Sequence, residues 1–374
     1  MESKEVYLRY PAQRDIVFVM GAGASYPDGV PLQREILPLI LSGEIKEIED
    51  SPTGKSVIEF INDNFHYNAE KNLYPQLEAI FGYIDHFLYE RESLSYKYSN
   101  SYIYNTKENL IKLIHFIVDR QTDKGSSYYQ KFWQSVYNYQ KNISVITLNY
   151  DTLLEQAFDF LFPEKGLIDY SFHLMNYNND PLMKAFNFWI NPREPITPKN
   201  GNIPVPFKIL KVHGSLNWKY CNCCNQTLLT PWDRKIDLYR GKFLGYTYPD
   251  KKEYDYICPI DKTDFQTLII PPSFQKYLKN PVITQLMNES AREIRAAKKI
   301  IFIGYSLSIT DVHIKALFKK NLKEETPVLV LSKRHSEILK SKYKALTKNV
   351  EFIDCSFENI FTDESILAKI FDLN

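Results

Sequence analysis

Seven short runs of consecutive apolar residues, most of them β-branched, set the tightest limit on how this chain can fold. They are IVFVM (16–20), SVITLN (144–149), FKILKVHG (207–214), TLIIP (267–271), KIIFIGYS (299–306), PVLVLS (327–332) and VEFID (350–354). A strand with one solvated face alternates apolar and polar residues. Runs without that alternation read as strands covered on both faces. Amphipathic stretches follow three of them: TLLEQAFDFLF, DVHIKALFKKNL and SEILKSKYKAL. Strand alternating with helix predicts an α/β protein with a doubly wound parallel sheet.

One gap breaks that rhythm. Between Arg34 and Asn142 the pattern is helical throughout, in REILPLILSGEIKEI, KSVIEFINDNF, PQLEAIFGYIDHFLYERES, ENLIKLIHFIVDR and SYYQKFWQSVYNYQ. Residues 35–141 therefore read as a helical module inserted after the first βα unit, with sheet-forming parts at 14–34 and 143–374. A stretch rich in Asn and Pro, 163–206, reads as long loops with short helices. Residues 215–266 hold four of the five cysteines.

Composition excludes several classes. The net charge of +1 gives no field to draw the chain to nucleic acid or to an anionic membrane. No apolar run approaches the roughly 20 residues of a membrane span. The N-terminal MESKEVYLRYPAQRD has no apolar signal region, so the expected location is cytoplasmic. Five cysteines then read as reduced thiols rather than a disulfide framework.

Three strand ends carry the residues of chemical interest. After the first run come Gly21, Ala22, Gly23, Ala24 and Ser25, then Gly29-Val30-Pro31 and Arg34. Glycines there allow a tight turn and close approach of a pyrophosphate to free backbone N–H groups. The third glycine of the usual dinucleotide fingerprint is missing. After the second run comes Thr147-Leu148-Asn149-Tyr150-Asp151. Thr152 with Glu155 makes a capping-box pattern, which would leave Asn149 and Asp151 to face the crevice. After the third run comes Val212-His213-Gly214-Ser215-Leu216-Asn217-Trp218. A histidine at a strand's carboxyl end is a candidate base. The other six histidines read as structural or solvated.

Taken in this order, GAGAS with GVP and an arginine, T-x-N-x-D, and HG resemble the sirtuin superfamily. Gly304-Tyr305-Ser306-Leu307 resembles that family's late Gly-x-Ser strand end. The resemblance implies a Rossmann-like sheet and NAD+ as the bound dinucleotide. It implies that Gly21, Ala22, Gly23, Ala24, Ser25 and Arg34 hold the dinucleotide, and that Gly304, Tyr305, Ser306 and Ser332 line its adenosine side. Asn149, Asp151 and His213 would face the nicotinamide ribose, with His213 as general base.

The chain departs from protein-deacylating sirtuins in two places. Their four-cysteine zinc module is represented by Cys221, Cys224 and Cys258, with Asp261 where a fourth cysteine would stand. A carboxylate can ligate zinc, but the expectation is a degenerate module without resident metal. Their peptide-pairing loop is replaced by LIIPPSFQK (268–276), whose prolines interrupt strand addition. This combination resembles the sirtuin-like domains of bacterial anti-phage defence, which hydrolyse NAD+ itself, down to the TLNYD, HGSLNW and GYSL forms. The implied activity is NAD+ hydrolysis, with NAD+ as substrate. The alternatives are an NAD-dependent protein deacylase or ADP-ribosyltransferase, and a non-catalytic NAD+ or ADP-ribose sensor. Aromatic-rich helices in 35–141 suggest more apolar surface than one small core can hold, hence a homo-oligomer. The resemblance further implies a HerA-like hexameric ATPase as partner.

Overall fold

A computed structural model describes residues 5–122, 124–162, 165–175, 189–198, 202–230, 235–246, 253–274, 276 and 278–373. The first strand is β1 (Arg14–Met20). Six helices follow: α1 (Gln33–Leu41), α2 (Lys46–Asp50), α3 (Pro52–Asn64), α4 (Leu77–Glu90), α5 (Asn100–Thr122) and α6 (Ser127–Tyr139). Next come β2 (Ile143–Thr147), α7 (Leu153–Leu161), β3 (Gly166–Asp169), β4 (Trp189–Ile190), β5 (Val205–Lys211), β6 (Gly214–Tyr220) and β7 (Thr227–Leu229). Three short strands, β8 (Lys235–Asp237), β9 (Lys242–Tyr246) and β10 (Glu253–Asp255), precede β11 (Gln266–Ile269) and α8 (Pro281–Ala296). The chain ends with β12 (Ala297–Ile303), α9 (Val312–Asn321), β13 (Val328–Ser332), α10 (Glu337–Leu346), β14 (Val350–Asp354), α11 (Phe357–Ile360) and α12 (Glu364–Phe371).

Eight strands form one sheet in the order β14-β13-β12-β1-β2-β5-β3-β4, and every pairing in it is parallel. Six of the seven apolar runs lie in it, so the fold is the doubly wound α/β sheet that their lack of alternation implies. Register shows why both faces must be covered. Phe18 pairs with Ile301 while Val19 pairs with Phe302, so Phe18 and Phe302 point to opposite faces. Phe18 meets Phe132 of α6 and Phe371 of α12, and Phe302 meets Phe318 of α9 and Tyr343 of α10.

Three expectations are corrected. The run at 267–271 is not a strand of the main sheet: β11 pairs antiparallel with β6 in a separate sheet, ordered β11-β6-β7. A short apolar run does not reveal its partner. Residues 163–206 are not loops alone. Where described, they supply β3, β4 and the start of β5, strands too short to show a period. The aromatic surplus of the helical region is largely internal. Phe81, Tyr129, Phe132 and Trp133 are buried, while Tyr89 and Tyr139 stay exposed. Trp133 packs on Phe158 and Phe207 and donates from Nε1 to the Leu154 carbonyl at 2.8 Å, so α6 belongs to the main core. Tyr96 and Tyr104 are exposed as well, so part of the aromatic surplus faces outward. No helix among the described residues is long and apolar enough to cross a membrane.

Candidate active site

The sheet order reverses at β1, which has β12 on one side and β2 on the other. Open α/β sheets bind ligands above such a point, at the carboxyl ends of the strands. Gly21 follows β1, Gly304 follows β12, Asn149 follows β2 and His213 follows β5.

The glycines answer first to packing. A Cβ on Gly21 or Gly23 would lie 2.8 Å from Gly304 atoms, and one on Gly304 (φ +61) would lie 2.5 Å from Gly23 C. The turn and the β12 loop therefore touch backbone to backbone. The turn's amides are mostly spent: Gly21 N donates to Ile303 O, Gly23 N to Gly304 O, Ala24 N to Gly21 O and Ser25 N to Ala22 O. The expected row of free phosphate-binding N–H groups is thus not what the turn presents, and α1 starts only at Gln33. Ala22 is exposed and Gly23 half-buried, so the turn's outer side remains accessible. Arg34 is exposed on the first turn of α1.

Asn149 is buried, and its amide Nδ2 donates to Gly21 O and to Ser25 Oγ, both at 3.0 Å. Ser25 Oγ continues to the hydroxyl of buried Tyr129 at 3.0 Å. Asp151 does not stand free of the helix: its Oδ1 accepts from Leu153 N at 3.2 Å. Thr152 makes no side-chain cap; its Oγ1 accepts from Gln156 at 2.8 Å. Glu155 pairs instead with Lys211, 2.9 Å away, and Lys211 also donates to the Asp151 carbonyl at 2.5 Å. The capping-box reading fails because this buried lysine is the stronger partner for Glu155. Burial pushes the Asp151 carboxyl above the usual carboxylate range, and the Lys211 charge opposes that.

His213 sits where the two sheets join. β5 ends at Lys211, and Gly214 turns the chain into β6 with φ +84. A Cβ there would lie 2.0 Å from Leu268 O, so only glycine fits. His213 Nε2 lies 3.0 Å from His313 Nε2 and 3.7 Å from Asp311 Oδ1. Asp311 pairs with Lys276 and accepts from Tyr305 Oη at 2.9 Å. Burial, then the Lys276 charge, hold His213 well below its ordinary pKa, with Asp311 opposing. The same two causes push His313 down to about 4.

The sequence reading missed Lys276, Asp311 and His313. Its signal was available: Asp and His two residues apart, opening a helix that follows a strand's carboxyl end. His313 is half-buried against His213 rather than solvated. Tyr305 turns its hydroxyl to Asp311 rather than standing free to line a cofactor. Ser306 and Ser332 lie at the ends of adjacent β12 and β13, Ser306 exposed and Ser332 half-buried, with Ser332 Oγ reaching Arg334 O at 3.5 Å.

The cysteine cluster is better formed than its sequence suggests. Ligand atoms of Cys221, Cys224, Cys258 and Asp261 all lie within 4.8 Å of one another. Two turns of one design bring them together. Asn225 N donates to Cys221 O and Lys262 N to Cys258 O. Cys221 N donates to Gln226 O and Cys258 N to Thr263 O, and Asn225 and Lys262 both take positive φ. Cys224 Sγ and Cys258 Sγ are 3.8 Å apart, the edge of a tetrahedron with Zn–S bonds of about 2.3 Å. These four side chains fit a tetrahedral zinc ion, with Asp261 at the fourth corner. The expectation of a degenerate module rested on that aspartate; its carboxylate nonetheless lies close enough to the three thiols to share an ion with them.

Among solved structures, Sir2Tm bound to a propionylated peptide aligns over 95% of this chain and 94% of its own, at 11% identity and a TM-score of 0.41. A mutant Sir2 homologue in complex with ADP ribose aligns over 97% and 96%, at 12% identity and a TM-score of 0.45. Similarity that low transfers no residue's role. No curated protein matches significantly. The family model for the SIR2-like domain matches residues 143–353, more than half of the chain, from the strand before Asn149 to the last strand of the sheet, and the chain therefore belongs to the SIR2-like family.

Proposed function

We propose that this SIR2-like chain is an NAD+ glycohydrolase, releasing nicotinamide and ADP-ribose. The observation that carries the reading is the placement of Asn149 and His213 at the carboxyl ends of paired strands β2 and β5, with Asn149 tied to the Gly21–Ser25 turn. The nicotinamide–ribose bond breaks through an oxocarbenium-like centre, as in glycoside hydrolysis. Its electron pair passes to the nicotinamide ring, which leaves neutral, so the site needs no strong acid. Water adds at C1′ and gives up a proton. His213, kept neutral by burial and Lys276, is the group to accept it. Asn149 orients the ribose or the water, and Asp151 offsets the developing positive charge.

A deacylase reading has less support. Ile270 N donates to His213 O at 2.8 Å, and Ile270 O accepts from Tyr150 Oη at 2.6 Å. With Pro271 and Pro272 next, this segment is bound to the site's own wall and offers no strand edge to an acylated peptide. A sensor would have no use for a neutral base at the strand end. Zinc, held by Cys221, Cys224, Cys258 and Asp261, would be structural, one strand length (roughly 20 Å) from His213. Action as an NAD+-depleting effector in anti-phage defence, assembly as a homo-oligomer and restraint by a HerA-like ATPase rest on the resemblance of TLNYD, HGSLNW and GYSL to defence domains.

The test is NAD+ turnover by the purified chain, without a protein acceptor, alone and with the product of its neighbouring gene. Nicotinamide and ADP-ribose should appear in equal amounts, and His213→Ala should abolish both. Asp151→Asn, which keeps the cap on Leu153, should lose less. Stoichiometric NAD+ binding with no cleavage under either condition would instead make the chain a sensor.

A further inference from the structure

His213 and His313 are both held neutral, so each ring carries one N–H and one lone pair. Their Nε2 atoms lie 3.0 Å apart, a contact that needs one donor and one acceptor. The direction follows from the role proposed for His213. As general base it would need its lone pair on Nε2, the nitrogen that meets His313, which leaves the ring's N–H on Nδ1. His213 then has its lone pair on Nε2, and His313 donates into it from its own Nε2. Asp311 lies within reach of both rings, its Oδ1 3.7 Å from His213 Nε2.

We propose that His313 is a positioning residue that fills the place of the substrate's proton donor. Until substrate arrives it holds His213 in the Nδ1–H tautomer and occupies the lone pair of Nε2. A substrate hydroxyl or water must displace it before that lone pair can be used. This deepens the hydrolase reading and rests on it for the identity of the ligand. His313 has somewhere to go: the Asp311 carboxylate can take its N–H, while Lys276 and the Tyr305 hydroxyl hold that carboxylate in place. A divalent ion between the three side chains is the competing arrangement. Lys276 already neutralises Asp311 Oδ1, the oxygen such an ion would need.

Three measurements test this on the full-length chain. Long-range ¹⁵N–¹H NMR of the ligand-free protein should show His213 protonated at Nδ1 with a lone pair on Nε2; a proton on Nε2 would overturn the proposal whatever the protein's activity. Calorimetric titration with ADP-ribose should show binding about fivefold tighter in His313→Ala, since entry no longer costs one hydrogen bond. His313→Gln, which restores an N–H donor, should return the wild-type affinity. In turnover, His313→Ala should lower KM for NAD+ and leave kcat within about twofold. A large fall in kcat at constant KM would show His313 acting in the chemical step and overturn its role as a stand-in. If no variant cleaves NAD+ while the tautomer and the ADP-ribose affinities come out as stated, the hydrolase reading fails and the stand-in role survives. An NMR signature that changes on adding EDTA would favour the metal and overturn the proposal.

Discussion

Asn149 Nδ2 donates to Ser25 Oγ at 3.0 Å, tying the end of β2 to the turn that leaves β1. The second donor of the same amide goes to Gly21 O, so one side chain fixes the spacing of two strand ends. Asn149→Ala should abolish NAD+ cleavage and also destabilise the protein by about 1–3 kcal/mol, because it removes two buried hydrogen bonds. Asn149→Asp should be worse for stability, since it sets a carboxylate against the Gly21 carbonyl. Urea unfolding with an NAD+ assay checks both. An Asn149→Ala protein that cleaves at the wild-type rate would remove the residue from the mechanism.

Lys211 and Glu155 form an ion pair in the core, with side chains 1% and 0% exposed. Pairs of this kind contribute little net stability, but breaking one leaves a bare buried charge. Lys211→Met should therefore cost about 3–5 kcal/mol in urea unfolding. The double variant Lys211→Met with Glu155→Leu should recover most of that loss. Equal losses in the single and double variants would mean that the lysine matters for packing or for its bond to the Asp151 carbonyl instead.

The main sheet was legible because burial on both faces removes alternation, and six apolar runs carry that mark. β3 and β4 were not, since GLID and WI are too short to have a period. The strand ends of the site were legible as GAGAS, TLNYD and HG, each a departure from the apolar run before it. What those residues touch was not. Asp151 caps α7 because Lys211, some sixty residues on, draws Glu155 away, and no local pattern shows that. His313 stands in the first turn of α9, a helix that reads as amphipathic. It meets His213 because the β12 loop crosses toward β5, a matter of topology rather than of sequence spacing. The glycines were found for one reason and needed for another, the close approach of Gly21 and Gly23 to Gly304.

The cysteine cluster makes a stoichiometric prediction. Protein purified without added zinc should carry close to one zinc per chain, read by elemental analysis. Cys221→Ser should lose it and lower the melting temperature, because the ion would tie the end of β6 to the approach to β11. Asp261→Asn should weaken binding more than Asp261→Cys, which restores a thiolate at the fourth corner. Metal-free protein that melts at the same temperature with or without zinc would show that hydrogen bonds alone hold the two turns, among them Cys221 Sγ to Asp261 at 3.1 Å.

Asp28 gives the pH dependence. It lies beyond the Gly21–Ser25 turn and accepts from Ser126 Oγ at 2.7 Å, joining that segment to the start of α6. Burial pushes its carboxyl up to about 6; the Ser126 bond opposes the shift, and the charges of Asp151 and Glu358 add to it. The folded value is raised above the unfolded one, so the folded protein binds this proton more tightly. The stabilisation is present in full below about pH 4 and is lost as pH rises through about 6. Asp28→Asn keeps an acceptor for Ser126 and cannot ionise. It should melt higher than wild type above pH 6, with the gap narrowing steadily down to pH 4. Melting curves of both proteins across that window read the difference directly, and other carboxylates cancel because the two proteins share them. A gap that stays constant with pH would mean that Asp28 does not titrate there and that its link to α6 is insensitive to charge.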